Sequence, residues 1–257
     1  MGNSFSVIDL YPIALLEGEG MGTAYEYSTK LKLLQRVVTA TRPPQRLLIG
    51  GLPEDYGVDL GLALLAAWYG CQMVVADDRV PLLETFASAL RAPPLAGQVD
   101  PGRFQMRHLE TLARPTRPDD APFDLWVTTS AIQRLNEGEL AEYLAQVGEK
   151  SRHAVLFVPN KANKEHLTLS GLDGFFLADL VATCRQAGLA VCEAGYLDLP
   201  PFPPGLQRSA EAKERAAKSR VERLIMHGLE WWTRLERLLP HFVKRRLGHI
   251  VYVFLQS

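Results

Sequence analysis

A single α/β domain on a mostly parallel sheet is the architecture this 257-residue sequence predicts. Apolar runs of strand length recur along the chain with helical patterns between them, as buried parallel strands and their crossovers do. The first run, Leu47-Leu48-Ile49, passes into a glycine-bearing loop from Gly50 to Gly57 and then an apolar helix from Val58 to Tyr69. The second, Met73 to Ala76, closes on Asp77 and Asp78.

The remaining elements follow in order. Tyr27, Leu31, Leu34, Val37 and Val38 keep the spacing of an amphipathic helix that ends before Pro43-Pro44, and LEGEGMGTAYEY ahead of it reads as a loop. After Asp78, PLLETFASALRA predicts a helix stopped by Pro93-Pro94. FQMRHLETL (104–112) predicts a third strand running into a loop, and ARPTRPDDAP continues that loop. Residues 123–127 predict a fourth strand with Thr128, Thr129 and Ser130 at its carboxyl end. A helix over 137–148 leads to a fifth strand at 153–160, a polar loop to His166, and a helix over 172–187. LAVCEAGYLDL (189–199) and HIVYVFLQS (249–257) predict the sixth and last strands.

The segment between those two strands sets this chain apart. PPFPPG (200–205) is too rich in proline for a helix or a central strand. Beyond it, Val221, Leu224, Ile225, Gly228, Trp231, Trp232, Leu235, Leu238 and Leu239 keep a helical spacing, with Pro240 as a breaker. Residues 206–246 hold eleven Lys/Arg against five Asp/Glu, a local charge of +6, so the remainder carries −7 within a net −1. The expectation is a helical lid whose apolar stripe packs on the sheet's crevice; contact of 206–246 with a partner or a membrane surface is the alternative.

Composition excludes several classes. A net charge of −1 gives no overall case for nucleic acid, and no run of eighteen apolar residues exists to cross a membrane. Cys71, Cys184 and Cys192 lie in apolar segments, which fits buried thiols in a reducing compartment and a cytoplasmic protein. No metal-ligand spacing occurs among the six histidines, and no Ser/His/Asp or Cys/His arrangement points to hydrolysis.

The loop after the first strand carries the functional reading. Open α/β sheets bind ligands at the carboxyl ends of their strands, and an acid ending the next strand is placed for ribose hydroxyls. A dinucleotide loop needs G-x-G-x-x-G to meet a pyrophosphate. Here Gly50 and Gly51 are adjacent, Pro53 has no N–H, and Glu54 and Asp55 would repel phosphate by roughly 1 kcal/mol per pair at 4 Å in water. No Walker lysine follows. S-adenosyl-L-methionine has no phosphate, and its sulfonium and ammonium favour nearby acids.

LLIGGLPEDYG and VVADD resemble the first two motifs of the class I S-adenosylmethionine-dependent methyltransferases, and Phe123-Asp124 followed by apolar residues resembles a third. The sequence departs where the family's usual acid, two residues before the first glycine, is replaced by Leu48, and where the turn is longer. The resemblance implies a Rossmann-like, seven-stranded, mostly parallel sheet with its last strand antiparallel. It divides the chain into an N-terminal helical cap (1–45), the core (46–199 and 249–257) and the inserted lid (200–248). It implies cap residues Tyr11, Glu19, Tyr25 and Tyr27 over the cofactor. Gly50, Gly51, Leu52, Pro53, Glu54, Tyr56 and Gly57 would face its methionine end. Asp77 or Asp78 would hold the ribose, Glu110 would lie near the adenine, and Thr128 and Thr129 would face the crevice. The implied activity is methyl transfer to a small-molecule or lipid-like acceptor, with no catalytic residue or metal assigned. A non-catalytic protein of the same fold and an NAD(P)-dependent oxidoreductase are the alternatives.

Overall fold

The computed structural model describes residues 5–17, 20–39, 42–54, 57–199, 219–236 and 238–257. The described strands are β1 (Arg46–Gly50), β2 (Gln72–Asp77), β3 (Phe104–His108), β4 (Leu125–Thr129), β5 (His153–Pro159), β6 (Ala190–Leu197) and β7 (Ile250–Gln256). They form one sheet of order β3-β2-β1-β4-β5-β7-β6. The pairs from β3 through to β5 are parallel, whereas β7 is antiparallel to both β5 and β6. Strand order reverses between β1 and β4, so a crevice opens at their carboxyl ends.

The sheet is buried on both faces, which is why its central strands read as continuous apolar runs. Alternate residues point to opposite sides. Leu47, Ile49, Val75, Val127 and Phe157 join one core, with α1 (Val7–Leu16), α2 (Met21–Thr39) and α3 (Ala63–Tyr69). Leu48, Val74, Trp126 and Leu156 join the other, with α5 (Glu137–Lys150) and α7 (Leu177–Gln186). The remaining α-helices among the described residues are α4 (Val80–Ala89), α6 (Lys164–Ser170), α8 (Arg220–Glu236) and α9 (His241–Leu247).

Several elements differ from expectation, each for a local reason. LEGEGMG is not all loop, because α2 begins at Met21 and takes Gly22 inside it; Gly18 and Glu19 fall outside the described residues. The helix expected from Val58 starts later, because buried Asp59 adopts a left-handed conformation (φ 55°) and a 3-10 turn, Leu60–Leu62, precedes α3. The polar loop after β5 is largely helical: the Asn163 side chain accepts the His166 N–H to start α6, and Gly171 ends it at φ 70°. That helix leaves 171–176 outside any helix ahead of α7, with Phe175 bridged to Asn160. Cys71 and Cys184 are buried as expected, but Cys192 on edge strand β6 is exposed.

The largest correction concerns the insertion, of which 200–218 lie outside the described residues. Pro240 does break the helical run, as the N-cap of α9. The packing face, however, is the opposite one. Met226, Leu229, Thr233 and Glu236 are buried, while Val221, Leu224, Trp231, Leu235 and Leu238 face outwards. The reason is that all the acids of α8 turn inwards to bond the cap. Glu222 accepts from the Tyr11 hydroxyl, Glu230 from the Val7 N–H (2.9 Å) and Lys32 (2.7 Å), and Glu236 from the Tyr25 hydroxyl. Of the tryptophan pair, Trp232 is half-buried and donates to the Leu199 carbonyl (2.6 Å), and Trp231 is exposed.

Candidate functional site

The site grows from the turn that ends β1. The Gly50 carbonyl accepts the Tyr143 hydroxyl (2.6 Å), which also bonds Trp126 and Thr128. A Cβ on Gly50 would lie 2.5 Å from both Trp126 Nε1 and Tyr143 Oη, so packing beneath the turn demands this glycine. Gly51 turns the chain at φ +97°, and a Cβ there would lie 2.7 Å from the Ala131 Cβ and 2.9 Å from Leu112 Cδ1. Leu52 and Pro53 are buried and Glu54 is exposed. The Glu54 N–H donates to the Ser130 carbonyl (3.1 Å), which joins the β1 loop directly to the segment after β4. Tyr56 and Asp55 lie outside the described residues.

The two acids that end β2 divide the work. Asp77 is fully buried and accepts the Leu52 N–H (2.7 Å), the Arg79 N–H (2.8 Å) and the Arg79 guanidinium (2.8 and 3.0 Å). Its acceptor positions are therefore taken by the chain itself. The Asp78 side chain is 25% exposed and meets Arg134 through two bonds of 2.6 and 3.0 Å. Burial alone would raise the pKa of Asp78; the Arg134 guanidinium overrides that and holds it below the usual carboxylate range. Beside Arg134 a cleft of ≈ 480 Å³ opens between Glu54, Gln133 and the turn from Ser170 to Asp173.

The cap supplies a second set of charges. Glu17 accepts the Val58 N–H (3.0 Å) and the Leu60 N–H, and a Cβ on Gly57 (φ +66°) would overlap its carboxylate. Burial pushes the Glu17 carboxyl up to about 7, despite the hydrogen bonds from Tyr27 and from the backbone. Buried Lys30 bridges Asp59 (2.7 Å) and Glu26 (2.5 Å). Burial would lower the Lys30 pKa, but those carboxylates hold it above the ordinary lysine value. Further along the same edge, the Asp198 carboxylate accepts from His249 Nδ1 (2.9 Å), and the His249 ring stacks on His166 at 4.3 Å. The Asp198 carboxylate outweighs burial and raises the His249 pKa, whereas burial and His249 lower His166 to about 4.

Of the residues expected at the site, Gly51, Leu52, Glu54, Asp77 and Asp78 do gather at the switch point. Thr128 and Thr129 belong to the carboxyl end of β4 and are fully buried, with Thr128 bonded to Tyr143. Glu110 is exposed beyond β3. Tyr11, Tyr25 and Tyr27 are buried in the cap, where Tyr11 and Tyr25 serve α8. Sequence reasoning missed Arg79 and Arg134, and it missed the Asp198–His249 pair. The pair had a signal, since an acid follows the sixth apolar run and a histidine opens the last.

This strand order with one antiparallel strand is the architecture of the class I S-adenosylmethionine-dependent methyltransferases. No family model and no curated protein matches the sequence. Among solved structures, the chain is similar to magnesium protoporphyrin IX methyltransferase from Synechocystis PCC 6803 with bound SAH, at TM-score 0.53 and 11% identity over 92% of this chain and 86% of that one. It is similar to geranyl diphosphate methyltransferase in complex with GPP and sinefungin, at TM-score 0.52 and 10% identity over 88% and 78%. The methyltransferase domain of bacterial CtHen1 matches at TM-score 0.51 and 13% identity over 89% and 97%.

Proposed function

We propose that this chain binds S-adenosyl-L-methionine at the β1/β4 switch point and transfers its methyl group to a small-molecule acceptor. The observation that carries the reading is Asp78, a partly exposed carboxylate at the end of β2 beside the Gly50-Gly51 turn. Its partner Arg134 is a long side chain bordering the cleft, so a ribose hydroxyl can replace it at modest cost; partly exposed ion pairs contribute about 0–1 kcal/mol. Glu17 fits the other end of the ligand. No cation among the described residues offsets the burial that raises this carboxyl to about 7, and an ammonium or sulfonium would supply one.

When bound, the cofactor supplies a methyl group on a cationic sulfur, whose in-line transfer neutralises charge. The chain's tasks are then alignment and exclusion of water. Asp78 orients, α1 and α2 cover the edge of the sheet, and the ionised Glu17 stabilises positive charge. Where the acceptor's nucleophile carries a proton, His249, oriented by Asp198, is the group on this edge suited to take it.

Calorimetry tests the reading. S-adenosylmethionine and S-adenosylhomocysteine should bind and NAD(P)H should not. The preference for the sulfonium form should grow as pH rises through about 7, and Glu17→Gln should flatten that trend. Binding of NAD(P)H alone would point to an oxidoreductase. One observation favours a second reading, a methyltransferase fold that binds without turnover: the Glu54–Ser130 bond spans the crevice, and Leu112 and Ala131 crowd Gly51. Cofactor binding with no methyl transfer across a broad acceptor screen would establish it.

A further inference from the structure

The outward face of α8 and α9 has a composition that packing within the chain does not explain. Val221, Leu224, Trp231, Leu235, Leu238 and Phe242 are each at least half exposed, and Leu224, Leu238 and Phe242 reach 72–80%. Their three-to-four spacing makes one stripe along a helix of about 25 Å at 1.5 Å per residue, carried on past Pro240. Arg223, Arg234, Arg245 and Arg246 flank the stripe and are exposed, and the Arg234 guanidinium lies 5.1 Å from the centre of the Trp231 ring. The acids of α8 are withdrawn from this face, because Glu222, Glu230 and Glu236 all bond the cap. The fold thus sorts the helix into an acidic inner face and a basic, apolar outer one.

We propose that this outer face docks on an anionic lipid surface, with α8 lying in the headgroup plane. Apolar side chains with tryptophan at the centre and arginines at the margins match the two layers of a bilayer interface, acyl chains and charged headgroups. The same chemistry argues against other occupants. Val221, Leu224, Leu235 and Leu238, four of the six stripe residues, are aliphatic and have no use for nucleic acid phosphates or for stacking on bases. A second copy meeting the face about a twofold axis would oppose arginine to arginine. The contact is peripheral, since no described helix is long and apolar enough to cross a membrane. Each basic side chain brought to an anionic surface contributes roughly fivefold in affinity. The inference does not rest on methyl transfer.

Flotation of the full chain with vesicles tests it. Vesicles of phosphatidylcholine with phosphatidylserine should carry the protein at 0.1 M salt, at least tenfold better than phosphatidylcholine alone, and 0.5 M salt should release it. Leu224→Asp with Leu235→Asp should abolish flotation, and Arg234→Glu with Arg245→Glu should weaken it at least tenfold, with melting unchanged because all four sites are exposed. Absence of flotation overturns the proposal, as does equal binding to neutral vesicles or binding unaffected by either pair of changes. Concentration-dependent self-association removed by the aspartates would assign the face to a second copy instead.

Discussion

Single side chains at the end of β2 and in the cap make the sharpest tests. Asp77 is bonded within the fold, and Asp78, which ends the same apolar run, is the acid proposed to meet the ligand. Asp77→Ala should cost about 1–3 kcal/mol in urea unfolding, since it strands the buried Leu52 N–H. Asp78→Ala should cost at most about 1 kcal/mol while weakening S-adenosylhomocysteine binding about 10- to 150-fold, the loss of a charge-assisted bond. Unchanged affinity in both variants would refute the site. Gly51→Val reads from sequence as a block to the ligand in an intact fold; with φ +97° and Ala131 at 2.7 Å, it should instead lower stability itself. Glu17 predicts a pH dependence. Its pKa rises from 4.5 to about 7 on folding, so the folded chain binds more protons, and stability falls as pH climbs through that window. Burial also raises Glu26 and Glu236 to about 7, so Glu17→Gln should make this slope shallower between pH 4.5 and 7 in unfolding titrations without abolishing it. The sequence named the Asp77-Asp78 pair but did not divide it, and it did not show the burial of Glu17, because each depends on which partner reaches the side chain through the fold.

At the scale of elements, the two faces of α8 give a clean contrast. Leu229→Ala removes a side chain packed inside the cap and should cost about 2–5 kcal/mol. Leu224→Ala changes a side chain 72% exposed and should stay within about 0.5 kcal/mol. Equal losses at both positions in denaturant titrations would show that the outer stripe is also covered. The central strands were legible from the sequence because burial on both faces leaves short apolar runs of strand length at β1, β2, β4 and β5. The helix α8 was legible as a helix, yet its orientation was not. Hydrophobic spacing names a stripe, and here the packing stripe is held by glutamates that bond Tyr11, Val7, Lys32 and Tyr25. The turn after β1 misled in the same way: Gly50 and Gly57 are required by Trp126, Tyr143 and Glu17, neighbours distant in sequence.

In the whole molecule, two cores share one sheet, and β7 joins its halves by pairing with both β5 and β6. Val253 stands opposite Leu156 on one side and Ala194 on the other, so Val253→Pro, which removes a ladder donor in a central strand, should prevent folding outright. A circular dichroism melt with a native-like transition for that variant would contradict the pairing. The order of strands also sets a clock. Residues 198–249 must be made after β6 and before β7. At about 5–20 residues per second, a ribosome needs several seconds for that stretch. During that interval β5 presents an open edge bearing Val155, Leu156 and Phe157, and β6 has no neighbour to pair with. The nascent chain passes through an adhesive state between the synthesis of β6 and that of β7, so its yield in the cell should depend on translation speed across the insertion and on chaperones able to hold that edge.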